Sequence, residues 1–225
     1  MTNLIGLAHD WGMEVGNNIV VDVSGMGRLI GTDATVPVVA SYPAHPMTER
    51  FTLLTAFPLA RSVTPVPNGV DGHTAQTVVE TSPRSWAESD VKGLLTTGKV
   101  TLDEASGDKK GPVSIAAAVS APVASSAPAR PGDSEARPET RVVVFGDSDF
   151  ASNAVLSIQG NRDLFMNTIG WLSQQENLIS IRPREPDDRR LTLTAAQQTN
   201  IVWLALLVIP AFIFGTGVYS WWRRR

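Results

Sequence analysis

Arg141-Val142-Val143-Val144-Phe145-Gly146-Asp147-Ser148-Asp149-Phe150 is the stretch whose reading decides the fold. Its first half is a continuous apolar run, the composition of a strand packed on both faces, as in parallel sheets. Gly146-Asp147-Ser148-Asp149 closes the run with turn residues, and helices are expected beyond it over 150–158 and 161–174. On the second of these Leu164, Phe165, Thr168 and Leu172 share one face, and Asn161 is placed to cap it. A strand, a turn and a helix make half of an α/β crossover unit, which argues a doubly wound sheet.

Working toward the N-terminus, the signals alternate. Leu4, Leu7, Ala8 and Trp11 recur at helical spacing before Gly12, and Ile19-Val20-Val21-Asp22-Val23 reads as a strand. Val36-Pro37-Val38-Val39-Ala40 reads as a short or edge strand, because Pro37 has no N–H to give a ladder. Residues 53–57, 77–81 and 113–119 are further strands bounded by Pro, Gly or Ser. Between 120 and 140 the composition changes, with Pro122, Pro128, Pro131 and Pro138 among Ala, Ser and Glu. Such a segment buries too little apolar surface to offset its ordering entropy and is expected to be a disordered loop.

Working toward the C-terminus, the uncharged run Ile201 to Trp222, closed by Arg223, Arg224 and Arg225, reads as one membrane-spanning helix. At 1.5 Å per residue it is roughly 33 Å long, enough for a hydrocarbon core of about 30 Å. Trp203 at one boundary and Tyr219, Trp221 and Trp222 at the other suit the headgroup zones. Pro210 is tolerable in such a helix because neighbouring groups can re-satisfy the freed carbonyl. The expected organisation is an α/β domain over 1–119 and 141–181 interrupted by the loop 120–140. A juxtamembrane connector, 182–200, the helix 201–222 and a basic tail, 223–225, follow.

Basic residues flank the helix on both sides, with Arg182, Arg184, Arg189 and Arg190 preceding it. Proximity favours a cytoplasmic tail, since the three terminal arginines abut the helix while Leu191 to Asn200 is neutral. That orientation places residues 1–200 outside the cytoplasm. Met1 to Leu7 has neither a basic n-region nor a long apolar core, so the chain as given carries no export signal. Two readings follow: Met1 is not the natural start, or the protein is tail-anchored with its domain in the cytosol.

Composition narrows the chemistry. The chain holds 19 basic residues, three of them the terminal arginines, against 22 acidic ones, and no basic patch, which argues against a nucleic-acid partner. With no cysteine there is no disulfide, thiolate metal site or thiol nucleophile. His9, His45 and His73 are too widely spaced for a metal site. Neither GxSxG, GxGxxG nor a P-loop occurs, so no cofactor is expected.

Asp147, Ser148 and Asp149 are the best ligand-binding candidates, because open α/β sheets bind ligands at the carboxyl ends of their strands. Two carboxylates and a hydroxyl there could hold a metal or polarise a water. The competing and stronger reading is structural: Gly146 permits a tight turn, Asp147 or Ser148 caps the next helix, and Asp149 favours its N-terminal dipole. His45, beside Pro46, is a turn residue or a ligand. Trp86 is a packing anchor, and Arg61 has many acids with which to pair.

Taken in order, these pieces form a series: His45-Pro46-Met47-Thr48; Phe57-Pro58 with Ala60-Arg61-Ser62-Val63; Thr81-Ser82 with Ser85-Trp86-Ala87-Glu88; Gly111-Pro112-Val113; and 141–150 with Asn153. The series resembles the GldG-like family, the gliding-motility-type auxiliary components of ABC transporters. The resemblance covers most of the chain, including Asn161 to Trp171 and the terminal helix. It implies an α/β domain, flavodoxin-like or class I glutamine-amidotransferase-like, without a defined catalytic apparatus. The family carries a membrane helix at each end of an extracytoplasmic domain. Leu4 to Trp11 corresponds to the middle of that domain, so the resemblance implies an N-terminally truncated member and leaves open whether its sheet is complete.

The expected function is that of a non-enzymatic accessory subunit of a bacterial ABC transport system, anchored in the inner membrane. Its partners are the permease and ATPase subunits and the lipid bilayer. The alternatives are a membrane-tethered hydrolase using Asp147 or Asp149 with a metal, and a tail-anchored cytosolic scaffold.

Overall fold

The computed structural model describes residues 2–98, 100–123, 139–158, 160–174, 199 and 202–225. The chain divides into two units, Met1–Arg182 and Pro183–Arg225.

The first unit is mixed α/β. It opens with α1 (Thr2–Asp10), β1 (Met13–Val15), β2 (Ile19–Asp22), the short α2 (Met26–Leu29), β3 (Val38–Val39), β4 (Thr55–Ala56) and β5 (Val63–Pro65). Next come β6 (Gln76–Glu80), β7 (Ser85–Glu88), α3 (Val91–Thr97), β8 (Lys109–Lys110), β9 (Ser114–Pro122), β10 (Glu139–Phe145) and α4 (Asn161–Leu172). The strands form small sheets, ordered β10-β9-β6, β2-β7-β8, β1-β5 and β3-β4.

Every pairing among these strands is antiparallel. The doubly wound parallel sheet expected from 141–150 is therefore not what the described residues build, and the pairings lend a flavodoxin-like topology no support. The expectation that both faces of that strand are packed does hold. Val142 and Val144 of β10 pack with the cluster of Ala8, Met13 and Val63, whereas Val143 and Phe145 pack with that of Val20, Phe57 and Leu164. An apolar run shows that both faces are covered but carries no information on partner direction. Its partner β9 runs antiparallel, from Pro122 opposite Glu139 to Ala116 opposite Phe145.

β9 separates the same two clusters, with Ala116 and Ala118 on one side and Ala117 and Val119 on the other. The period-two alternation of a strand produces that division, and the alanines let both layers approach closely. A third cluster, Ile19, Val21, Trp86 and Leu94, packs β2 and β7 against α3. Asp90 caps α3, accepting the Gly93 N–H at 2.9 Å, and Gly98 ends it with φ 66°.

Several boundaries differ from expectation. The strands β9 and β10 reach into both ends of the 120–140 segment; its residues 124–138 lie outside the described ones, as does most of the connector 182–200. Instead of a helix over 150–158 there is a 3-10 turn, Asp149–Ala151, followed by turns. Asn161 does not cap α4, whose N-cap is Gly160.

In the second unit, Leu204–Arg223 is one helix of 20 residues with mean hydropathy 1.8 and no part of its apolar window buried. At about 30 Å it is long and apolar enough to cross a membrane. It opens with a π turn, Leu204–Val208, in which the Ile209 N–H reaches back to the Leu204 carbonyl, and continues as α5 (Ile209–Arg223). The π turn lies immediately before Pro210, whose missing N–H breaks the regular ladder.

Candidate functional site

The Gly146-Asp147-Ser148-Asp149 turn joins β10 to the aromatic core. Phe145 and Phe150 stack across it at 4.5 Å, and Phe150 lies 5.4 Å from Phe57 and 6.3 Å from Phe165, centroid to centroid. Gly146 donates to the Ile115 carbonyl and accepts the Arg61 N–H, both at 2.9 Å. A Cβ at this position would run into the Arg61 backbone carbonyl. Glycine is required here for close approach of two backbones; its φ is not positive, so the tight-turn explanation does not apply. Arg61 takes part through its main chain, and its side chain makes no ion pair among the described residues.

Asp147 is buried, and both its oxygens are used. Oδ1 accepts the Asp149 N–H at 2.6 Å and Oδ2 the Phe150 N–H at 3.1 Å. Burial pushes its carboxyl up to about 6, and the Asp149 charge adds to the rise while the two backbone donors oppose it. Ser148 stands at the N-cap position without a side-chain cap bond, and both Ser148 and Asp149 are exposed. Of the three residues named as ligand candidates in this turn, Asp147 has both carboxylate oxygens engaged by backbone of its own turn.

His45 belongs to a different structure. Its Nδ1 accepts the Met47 N–H at 3.2 Å and its carbonyl accepts the Thr48 N–H at 2.9 Å, which makes it the organiser of a tight turn. Its ring meets Trp171 edge-on at 5.0 Å. Arg141 covers the same indole at 4.9 Å, donates from Nη1 to the Trp171 carbonyl at 2.7 Å and pairs with Glu139 at 3.3 Å. His45 and the 147–149 turn are held by separate elements, one against Trp171 and the other against Phe57 and Phe165.

Other pieces of the ordered series converge on one buried polar node. The Thr81 hydroxyl lies 2.6 Å from that of Ser85, and the Val113 N–H donates to Thr81 Oγ1 at 2.9 Å. Gly111 donates to the Ser85 carbonyl at 2.8 Å, and Ser82 Oγ donates to Asp22 Oδ1 at 3.0 Å. Asp22 is the member that sequence reasoning missed, because its position at a strand end, between apolar residues, looked unremarkable. Trp86 is the expected packing anchor, and its Nε1 donates to Glu88 Oε2 at 3.0 Å.

A groove of about 910 Å³ is lined by residues of the segment 38–44 together with Gln76, Thr77, Glu80 and Thr81. No group of three or more His, Cys, Asp or Glu able to hold a metal ion occurs among the described residues.

A family model described as ABC-type uncharacterized transport system matches residues 2–174. No curated protein matches the chain. Among solved structures, one titled mmIFT52 N-terminal domain is similar with a TM-score of 0.47 at 14% identity, over 76% of this chain and 57% of that chain. The chain thus spans little more than half the length of that structure.

Proposed function

This chain belongs to the ABC-type uncharacterized transport system family, as a GldG-like auxiliary component of an ABC transporter, and on that premise we propose that it is a membrane-anchored, non-enzymatic subunit whose α/β unit lies outside the cytoplasm and contacts the permease. The observation that carries the reading is the union, on one chain, of the matched domain at 2–174 with an apolar helix at Leu204–Arg223. Its length, apolar composition and lack of a buried face support an anchor in a bilayer, where a helix satisfies its backbone groups internally.

The orientation rests on Arg223, Arg224 and Arg225, which directly abut the apolar run and favour the cytoplasmic side. The non-enzymatic assignment rests on the engagement of Asp147, whose two oxygens fold the turn. Any ligand sensed at the 147–149 turn would meet Ser148 and Asp149, which are exposed. The ATPase subunit enters as the permease's partner.

Gentle solubilisation of the native membrane, followed by affinity capture of the tagged chain and mass spectrometry, tests the reading. Co-purification of an ABC permease with its ATPase is expected. Recovery of the intact protein with no transporter subunit would overturn it.

A further inference from the structure

A bulge in β6 brings two polar residues, Thr77 and Glu80, to one groove. Thr77 opposes Ala117 and Val79 opposes Ala116, so Val78 is an extra residue on this strand. Val78 and Val79 are both fully buried in the main core cluster. In an unbroken strand Thr77 and Glu80, three residues apart, point to opposite faces. With the bulge between them both line the groove, and Gln76 joins them there.

Glu80 is the one charged residue of the lining, which contains no basic side chain. It is half-buried, and its carboxylate has no hydrogen-bond or ion-pair partner among the described residues. The side chains of Gln76 and Thr77 are equally unengaged there. Withdrawing a carboxylate from water without a partner is costly, and an ammonium donor placed against it forms a charge-assisted bond. Much of the remaining lining is apolar, with Val38, Pro43, Pro83 and Pro112 among it. Tyr42 of the lining is fixed in place, its hydroxyl 2.7 Å from the Leu53 carbonyl and 2.8 Å from the Thr55 hydroxyl. The volume of about 910 Å³ falls within the range of about 300–1,000 Å³ usual for small-molecule sites.

We propose that this groove binds a small organic amine, with its ammonium group against Glu80 and its apolar body along the rest of the lining. Charge complementarity selects the ligand, because the lining carries one negative charge and no positive one to compete for it. Gln76 and Thr77 add neutral hydrogen-bonding groups beside the carboxylate, which orient the ligand rather than attract it. The proposal goes beyond the transporter reading and holds whichever side of the membrane the domain occupies.

The test uses the full chain in detergent and a pair of probes of nearly equal shape, phenylbutylamine and its neutral counterpart phenylbutanol. Isothermal titration, with the heat of micelles alone subtracted, is expected to show saturable binding of the amine about tenfold tighter than that of the alcohol. In Glu80→Gln that preference is expected to vanish while the alcohol binds as before, which separates a lost charge contact from a lost fold. Ala44→Trp, at an exposed position of the lining, is expected to weaken both probes. Absence of saturable amine binding would overturn the proposal. So would an amine preference that survives Glu80→Gln, or binding of both probes unchanged by Ala44→Trp.

Discussion

Asn161 replaces a missing strand partner for Ala56: its Oδ1 accepts the Ala56 N–H at 2.8 Å and its Nδ2 donates to the Ala56 carbonyl at 2.8 Å. Nδ2 also reaches the Phe150 carbonyl at 3.2 Å, and the residue is fully buried. One amide therefore ties β4, the turn after β10 and the start of α4 into a single core. Asn161→Leu strips the buried Ala56 groups of their partners and is expected to cost about 3 kcal/mol or more. The nearly isosteric Asn161→Asp should do no better, because it presents an acceptor to two carbonyls. Denaturant unfolding of the detergent-solubilised chain measures both.

Gly146 and Gly6 should respond in opposite ways to alanine. At Gly146 the new methyl meets the Arg61 carbonyl, a backbone atom that cannot swing aside, whereas at Gly6, within α1, it meets nothing within 4 Å. Gly146→Ala is expected to destabilise at the upper end of about 1–3 kcal/mol. Gly6→Ala should be neutral or stabilise by up to about 1 kcal/mol through helix propensity. Comparing the two unfolding midpoints checks the assignment of Gly146 to close packing.

Asp147 should give the protein an acid-side stability gradient. Its carboxyl rises from 3.8 to about 6 on folding, so between those values the native state binds more protons than the unfolded one and stability falls as pH rises. The contribution is complete below about 3.8 and gone above about 6, with a total of at most about 3 kcal/mol. Asp147→Asn should remove that slope between pH about 4 and 6. Unfolding free energies of both proteins across this window decide it, and parallel curves would place the titrating group elsewhere.

The Arg141 clamp on Trp171 should be specific to arginine. Its side chain combines a 2.7 Å bond to the Trp171 carbonyl, a position over the indole and an ion pair with Glu139. Arg141→Ala is expected to cost about 1.5–3 kcal/mol, and Arg141→Lys should recover little, because an ammonium cannot both stack flat and reach the carbonyl. His45→Ala, which loses one edge contact and one turn bond, should cost about 1 kcal/mol. Stability and transport measured on both variants separate a packing histidine from a ligand, since a ligand role requires transport to fall further than folding does.

How much of this was legible in the sequence follows from where the information sits. The strand 141–145, the helix after Asn161 and the terminal span were all written in local hydrophobic pattern. The direction of β10 was not, because it depends on β9, an alanine-rich strand whose pattern says little about its neighbours. β7 was hidden for another reason: Glu88 is buried at 3% exposure and tolerable only because Trp86 and the Asp90 N–H supply its hydrogen bonds. At the candidate turn, the residue types left both capping and chemistry open. Only the fold engages both Asp147 oxygens with backbone, and only the fold brings Asp22 to Ser82, 60 residues away in the chain.

The central claim, an auxiliary transporter subunit with its domain outside the cytoplasm, is tested most directly by thiol accessibility, since the chain contains no cysteine of its own. Ala105→Cys, at an exposed position of the α/β unit, and Arg225→Cys, beyond the apolar helix, are introduced separately. Intact cells are then treated with a membrane-impermeant maleimide. Labelling of Ala105→Cys in intact cells, with Arg225→Cys reacting only after lysis, is the predicted result. The reverse pattern would put the domain in the cytosol and contradict the account.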